Sequence, residues 1–247
     1  MKQQRIGLVG IGKLGTALMT HWDKKAIAIG VYHPVKTKAE HFLQSFQKGF
    51  LLTESELRNV DVLILALPAM EVVPFISTLK LQGQAQHTPT IINMATNLST
   101  NEITTKYPDL KVHGVKYMGH WKDLLEHGNG LFITESALPP NTAELFQELG
   151  KVKIDRENCL TEVNKLASYF ALKTAITIET EFANRGLSPE YLQRALTSLA
   201  PEVIRSYSEG SLGHFAKEIV KEIQAENSSD VDEPTTSKMG KGVNLID

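Results

Sequence analysis

The chain has 247 residues, of which 42% are hydrophobic, and its 26 basic and 28 acidic side chains leave a formal net charge of -2. This composition predicts a globular protein of one large or two modest domains, and the balanced charge argues against a nucleic-acid partner. No window reaches the roughly 18 apolar residues of a membrane span, and Cys159 is the only cysteine. We therefore expect no membrane association, no internal disulfide and a cytoplasmic location.

The first fold-bearing segment reads RIGLVGIGKLGTALMTHW and covers residues 5–22. Apolar residues before the glycines and apolar residues at helical spacing after them predict a strand, a tight turn and a helix. In a dinucleotide-binding turn of this kind, one glycine permits the turn, one admits the pyrophosphate and one lets helix and strand pack closely. The unpaired N–H groups of the helix start would bind phosphate. The predicted cofactor-binding residues of this turn are Gly10, Ile11, Gly12, Lys13, Leu14 and Gly15.

Apolar strand patterns alternate with helical patterns up to residue 155. Alternation of this kind predicts an α/β fold built on a doubly wound parallel sheet. We therefore predict a dinucleotide-binding domain over residues 1–155, with Gly150 ending its last helix. Further strands are predicted at 26–34, 60–68, 88–97, 110–118, 131–136 and 151–155, and helices at 37–46 and 141–150.

The pattern changes after Cys159, because no Pro or Gly occurs until Gly186. Such a segment predicts one helix of about 40 Å, at 1.5 Å per residue. Ser188 and Pro189 have the types expected at the cap and first position of a new helix. A smaller all-helical domain is therefore predicted over residues 156–226, followed by a polar tail or arm over 227–247. Apolar residues lie on more than one face of the long helix, so we expect a second copy to cover them in a homodimer.

The end of the second predicted strand bears on the choice of dinucleotide. NAD-binding folds typically have a carboxylate there that binds the ribose 2′-hydroxyl. In this chain Tyr32 is followed by HPVKTK, and the first carboxylate is Glu40. His33, Lys36 and Thr37, with Lys38 beside them, can instead donate to a 2′-phosphate, although lysines in such a loop are also common surface residues. The segment therefore favours NADP over NAD.

Taken in order, these segments resemble the pyrroline-5-carboxylate reductase family, in which a nucleotide-binding domain precedes a helical dimerisation domain. IGLVGIGKLGTAL resembles the family's glycine loop, and LALPAMEV takes the place of its AVKPQ segment. IINMATN and VKYMGHW stand where the family has ISIAAG and RxMPN. The resemblance implies an NADP-dependent reductase that transfers hydride to a C=N bond of a small carboxylate-bearing substrate. It places Leu67, Pro68, Ala95 and Asn97 beside the nicotinamide, and Lys116 and His120 at the substrate.

The resemblance has a gap near the start of the long helix, where the family's GSGPAY signature is replaced by NKLASYF. A second resemblance, to the β-hydroxyacid dehydrogenases, covers this gap in part. Their catalytic lysine lies in a KxxNN pattern, which Lys165 fits while Ser168 and Tyr169 replace the asparagines. That resemblance implies proton donation by Lys165 to a C=O or C=N group, and the alternative is an ordinary surface lysine. A non-catalytic NADP(H)-sensing dimer also stays open.

Three histidines, His113, His120 and His127, recur every seven residues. No Cys or carboxylate joins them at the spacing of a metal-ligand set, so we predict no metal site.

Overall fold

The computed structural model describes residues 4–81 and 88–229, and the chain divides into two compact units between residues 169 and 170. The first unit contains a six-stranded sheet whose strands are all parallel and lie in the order β3-β2-β1-β4-β5-β6. This order is that of a doubly wound dinucleotide-binding sheet, so the predicted fold class is confirmed. The strands are β1 (Ile6–Val9), β2 (Ile29–Tyr32), β3 (Gly49–Leu51), β4 (Val62–Leu65), β5 (Thr90–Asn93) and β6 (Val112–Gly114).

Helices cover both faces of this sheet, which explains why its strands are almost continuously apolar. On one face Leu8, Ile64 and Ile92 pack against the first helix. On the other face Leu63 and Leu65 pack in a second core. The helices and helical turns that connect the strands are α1 (Lys13–Lys24), α2 (Lys36–Leu43), a 3-10 turn (Glu54–Asn59), α3 (Ala69–Leu81) and α4 (Thr100–Lys106).

A second sheet of three strands follows, and the sequence did not indicate it. It contains β7 (Lys116–Tyr117), β8 (Gly130–Thr134) and β9 (Gly150–Ile154), with β7 antiparallel to β8. The helices α5 (Trp121–His127) and α6 (Pro140–Gln147) lie between these strands in the chain.

The single strand predicted over residues 110–118 is wrong, because the chain passes there from one sheet to the other. Buried Val115 still donates its N–H to the Asn93 carbonyl of the first sheet at 3.0 Å, whereas Lys116 pairs with Ile133 of the second. Gly150 does not end the preceding helix. It is the first residue of β9, where its φ of 149° and the closeness of the Gly130 backbone require glycine.

The second unit is helical. The long helix α7 (Asn158–Asn184), which runs into it from the first unit, confirms the predicted helix. Gly186, with a φ of 62°, lies just past its end, and the Ser188 hydroxyl caps the next helix by accepting from the Glu190 N–H at 3.3 Å. The remaining elements are α8 (Pro189–Arg194), a π-helical turn (Ala195–Leu199), α9 (Ala200–Ser208) and α10 (His214–Ser229).

Large apolar side chains of this unit are exposed in the single chain. Among the described residues of this unit, Ala195 is the one apolar residue that is buried. Several aliphatic and aromatic side chains are more than half exposed. Examples are Leu172, Ile176, Tyr191, Leu199, Ile204, Tyr207 and Phe215.

The predicted border between the dinucleotide-binding and helical domains, at residue 155, lies directly after the end of β9. This division into functional domains stays a prediction. The polar stretch expected as a tail from residue 227 is helical to Ser229, and the rest of it lies outside the described residues. Within residues 4–81 and 88–229, no helix combines the length and apolarity needed to cross a membrane.

Candidate functional site

Two adjoining cavities open at the carboxyl ends of the parallel strands. Gly12 and residues 66–68 border both of them, so together they form one cleft. The first cavity, of about 360 Å³, lies on the side of β5, and the second, of about 530 Å³, lies on the side of β2. Because β1 and β4 are neighbours from which the chain winds in opposite directions, the cleft lies at the switch point where α/β sheets bind ligands.

The glycine turn forms the middle of the cleft. Gly12 precedes α1 and offers no capping side chain, and the first N–H groups of any helix lack an intrahelical acceptor. These N–H groups and the helix dipole make the turn a site for an anion. A Cβ on Gly12 would meet nothing within 4 Å, which leaves room there for a phosphate group.

The other two glycines are required by the protein itself. A Cβ on Gly10 would lie 2.2 Å from the Ala66 carbonyl oxygen, and the φ of Gly10 is 110°. A Cβ on Gly15 would lie 1.9 Å from the Gly10 carbonyl oxygen. Gly15 does not line the cleft, so its predicted part in cofactor binding reduces to packing α1 against the turn.

The second cavity has aromatic walls and basic groups at its mouth. The rings of Tyr32 and Phe75 pack against each other at an angle of 50°, with centroids 6.1 Å apart. Burial and the nearby Glu54 carboxylate raise the pKa of Tyr32. His33 and Lys38 line the same cavity. Glu71 of α3 contributes a carboxylate to the lining. Aromatic side chains beside basic groups suit a ligand that carries both an aromatic ring and an anion.

His33 is oriented by its own loop. Its Nδ1 lies 2.9 Å from the Val35 nitrogen and 3.2 Å from the Val35 carbonyl oxygen, so the loop holds this side of the ring. When the Val35 N–H donates to Nδ1, the neutral ring carries its proton on Nε2, which can donate to an anion. Lys36 and Thr37 are exposed and are not among the residues that line the cavity, and the Lys36 ammonium pairs with Glu40 at 3.3 Å. The structure therefore favours His33 and Lys38 over Lys36 and Thr37 as partners of an anion.

The first cavity lies between the ends of β4 and β5. Leu67 and Pro68 form one wall, and the loop of residues 94–98, which we call the β5 loop, contributes Ala95 and Asn97 to the other. The Asn93 side chain shapes this loop, because its Oδ1 accepts from the Ala95 N–H at 3.1 Å and its Nδ2 donates to the Leu98 carbonyl at 2.9 Å. The loop is thus held by the strand that it follows.

Lys116 does not reach the cleft. Its side chain is 1% exposed, and its Nζ donates to the Ala95 and Leu98 carbonyls at 2.6 and 2.9 Å. The Glu157 carboxylate lies 3.8 Å from the same Nζ. The resemblance implied a substrate contact for Lys116, and this is corrected because the short strand β7 directs the amine behind the β5 loop.

Burial lowers the pKa of Lys116 to about 8, an effect that Glu157, Glu135 and Glu102 partly offset. Between this value and the 10.5 of an unperturbed lysine, the unfolded chain holds more protons than the folded one, so a rise in pH favours folding. We expect the free energy of unfolding of the wild type, relative to Lys116→Met, to rise by about 2 kcal/mol from pH 7 to pH 10. Urea unfolding of both proteins at both pH values measures this, and an unchanged difference would contradict it.

His120 lies at the start of α5, beside the cleft rather than among its lining residues. Its Nδ1 accepts from the Lys122 N–H at 3.4 Å, which places the proton of the neutral ring on Nε2. Its ring packs 5.6 Å from that of Trp121, and the Lys13 ammonium lies 5.3 Å from the Trp121 ring. Lys13 itself lines the first cavity, so its side chain links the His120–Trp121 turn to that cavity.

Lys165 is exposed on α7, as are residues 161–170 as a whole. The single chain therefore does not bury Lys165. Its catalytic role stays a prediction. Among the described residues, no cluster of three or more His, Cys, Asp or Glu is arranged to hold a metal ion.

The cleft brings together most of the predicted cofactor residues and adds some that sequence reasoning missed. Tyr32 and Phe75 carried no motif, and Phe75 comes from a helix whose cleft-facing side could not be known in advance. The predicted residues that line the cleft are Gly10, Ile11, Gly12, Lys13, Leu14, His33, Leu67, Pro68, Ala95 and Asn97.

Comparison with known proteins agrees with this geometry. Residues 5–120 match the family model for the NAD binding domain of 6-phosphogluconate dehydrogenase. These residues contain the glycine turn and both cavities. A search of curated protein sequences found no match.

Solved structures share the fold at low sequence identity. A pyrroline-5-carboxylate reductase from Coxiella burnetii is 13% identical with a TM-score of 0.66, and the match covers 93% of each chain. An imine reductase from Aspergillus terreus, in complex with NADPH4 and a dibenzazepine, is 16% identical with a TM-score of 0.59 over 96% of this chain and 81% of that one. A reductive aminase from the same organism, with NADPH and ethyl-5-oxohexanoate, is 14% identical with a TM-score of 0.58, and the match covers 95% and 89%. The resemblance to pyrroline-5-carboxylate reductases is confirmed at the level of the fold.

Proposed function

We propose that this protein is an NADP-dependent reductase that transfers hydride to the C=N bond of a small, carboxylate-bearing substrate. The observation that carries the proposal is the cleft itself, which joins an anion-binding glycine turn to a cavity on either side at the switch point of the sheet. The fold is that of NAD(P)-dependent oxidoreductases. The imine and NADPH complexes of the Aspergillus terreus enzymes support the choice of bond and cofactor.

The dinucleotide fits the cleft in one direction. The pyrophosphate suits the open backbone at Gly12 and the start of α1. The adenine suits the second cavity, which Tyr32 and Phe75 line, where His33 and Lys38 are available to a 2′-phosphate. The nicotinamide then falls in the first cavity, beside Ala95 and Asn97 of the β5 loop.

When bound, the reduced nicotinamide supplies the hydride, and the protein supplies geometry and a proton. The β5 loop and the Leu67–Pro68 wall would hold the ring and exclude water. His120 is our candidate for the proton donor: as an imidazolium it would give up its Nε2 proton and return to the neutral ring whose Nδ1 accepts from the Lys122 N–H. Lys165 is a second candidate. A proton on the imine nitrogen makes its carbon a better hydride acceptor.

The cofactor preference rests on Lys38. Lys38→Ala is expected to weaken NADPH binding by about tenfold, because it removes a charge-assisted contact worth about 1.5 kcal/mol at an exposed position. NADH, which lacks the 2′-phosphate, should bind unchanged. Fluorescence titration of the purified variant with both cofactors measures this effect.

Lys36→Ala is the matched control, because Lys36 lies two residues away in the same loop but is paired with Glu40 and outside the cavity lining. It should leave both affinities unchanged. If Lys36→Ala weakened NADPH binding and Lys38→Ala did not, the assignment of the 2′-phosphate site to Lys38 would be wrong.

We further propose that two copies associate through the helical unit. Single-chain exposure of residues such as Ile204, Tyr207 and Phe215 leaves more apolar surface than an isolated helical domain usually carries. Light scattering of the purified protein should therefore give twice the 27.4 kDa of one chain. A mass of one chain at micromolar concentration would contradict this proposal.

A panel of substrates separates the remaining alternatives. Cyclic imines, α-keto acids and β-hydroxy acids would be offered with NADPH or NADP⁺, and the change in cofactor absorbance recorded. We expect turnover of cyclic imines that bear a carboxylate. Turnover of keto or hydroxy acids alone would favour β-hydroxyacid dehydrogenase chemistry, and tight NADPH binding without any turnover would favour a sensor of NADP(H).

A further inference from the structure

We propose that Lys116 and Glu157 are a buried positioning pair that sets the β5 loop, and through it the affinity of the cleft for the nicotinamide half of the cofactor. This proposal rests on the proposed function. It goes beyond it, because neither residue touches the cleft. Lys116 and Glu157 lie on different elements, at the start of β7 and immediately before α7.

The Lys116 side chain holds the β5 loop by binding the backbone carbonyls of the loop. Its ammonium donates to the carbonyls of Ala95 and Leu98, which are three residues apart and bracket the loop segment that lines the first cavity. Asn93 donates to the same Leu98 carbonyl and accepts from the Ala95 N–H. The loop is therefore fixed at both ends by buried polar groups, which are costly to leave unpaired.

Glu157 fixes the other side of Lys116. One of its carboxylate oxygens accepts from the Thr100 N–H at 2.9 Å, and the other accepts from the Thr100 hydroxyl at 2.5 Å. Its own N–H donates to the Glu135 carboxylate at 3.0 Å. The carboxylate thus joins the start of the long helix to the start of α4, which follows the β5 loop, while it balances the Lys116 charge at 3.8 Å.

The surrounding backbone keeps space for this carboxylate. Gly114 is buried at the end of β6, and a Cβ there would lie 1.6 Å from Glu157 Oε1 and 2.4 Å from the Thr100 hydroxyl oxygen. Any other residue at position 114 would displace the carboxylate. A buried ion pair also gains little stability over apolar packing, so a positioning role is a better account of it than stability.

The pair makes a specific prediction for cofactor fragments. A displaced β5 loop should affect ligands that carry nicotinamide but not 2′,5′-ADP, which would occupy the second cavity and the glycine turn alone. Lys116 does not touch the ligand, so the loss of its two bonds reaches binding only through the displaced loop, and we expect an effect of about tenfold in Kd. We therefore expect Lys116→Met to weaken NADPH and NADH by about the same factor.

The experiment is calorimetric titration of the full-length wild type, Lys116→Met and Glu157→Gln with NADPH, NADH and 2′,5′-ADP. Lys116→Met should lower affinity for both dinucleotides by about tenfold and leave 2′,5′-ADP unchanged. Glu157→Gln keeps an acceptor for Thr100 but removes the charge, so its effect should be in the same direction and smaller. The matched control is Lys25→Met, the same substitution at an exposed pair with Glu148, and it should change nothing.

Equal losses for all three ligands in Lys116→Met would mean a general structural role and would overturn the proposal. Unchanged dinucleotide binding in both variants would overturn it as well. A wild type that binds neither NADPH nor 2′,5′-ADP would instead contradict the proposed function, so the two failures are distinguishable.

Discussion

Gly12→Ala is expected to weaken NADPH binding by between tenfold and a hundredfold, and to leave the folded protein intact. The added methyl would occupy the space in which the turn receives a pyrophosphate, and overpacking of this kind costs roughly 1–3 kcal/mol. The protein itself tolerates the methyl, because no other atom lies within 4 Å of the place that it would take and the φ of Gly12 is -76°. Titration with NADPH and thermal unfolding of the same sample measure both effects.

The matched control is Gly15→Ala, at the third glycine of the same motif. Its methyl would lie 1.9 Å from the Gly10 carbonyl oxygen, so this variant should lose stability. Gly12→Ala should change the free energy of unfolding by less than about 1 kcal/mol, the usual cost of alanine at a helix cap. If Gly12→Ala bound NADPH as the wild type does, the pyrophosphate would not lie on this turn.

His120→Ala is expected to lower kcat for imine reduction by about a hundredfold, the lower end of what a positioned proton donor contributes. The affinity for NADPH should not change, because His120 lies beside the cavities and not in their lining. Lys165→Ala, made in parallel, tests the other predicted donor. Steady-state kinetics with the best substrate of the panel separate kcat from KM.

His127→Ala is the control for this series, because His127 is an exposed histidine of the same helix α5, beside Glu126. It should turn over at the wild-type rate. Wild-type kcat in both His120→Ala and Lys165→Ala would mean that the proton comes from elsewhere, and the catalytic assignment would be wrong.

Local patterns predicted the sheet and the glycine turn because the physics there is local. A strand buried on both faces must be apolar throughout, as Leu63, Ile64 and Leu65 are, and the close approach of Gly15 to Gly10 excludes any side chain. The long helix was equally readable, since nothing between Cys159 and Gly186 interrupts it. These features depend on neighbours in sequence.

The second sheet and the role of Lys116 could not be predicted in this way. The chain leaves one sheet and enters another at Val115, within a stretch whose apolar pattern is continuous. Whether the lysine that follows faces solvent, substrate or the back of a loop depends on carbonyls about twenty residues earlier in the chain, at Ala95 and Leu98. A lysine buried at 1% exposure runs against the usual preference of its type, and only tertiary contacts explain it.

The order of the basic residues after β2 is a similar case. Composition indicated a basic loop, but the start of α2 at Lys36 decides which lysine turns to the cavity and which pairs along the helix with Glu40. Sequence reasoning reached the preference for NADP through the loop as a whole, and the structure then distinguishes Lys38 within it.

The most direct test of the proposed function is the rate of NADPH oxidation by the purified protein with pyrroline-5-carboxylate, measured beside NADH and beside a sample without protein. We expect protein-dependent oxidation that is faster with NADPH than with NADH, and that needs a higher NADPH concentration in Gly12→Ala. No oxidation with this or any other cyclic imine, in a sample that binds NADPH, would contradict the claim that the cleft is the site of an imine reductase.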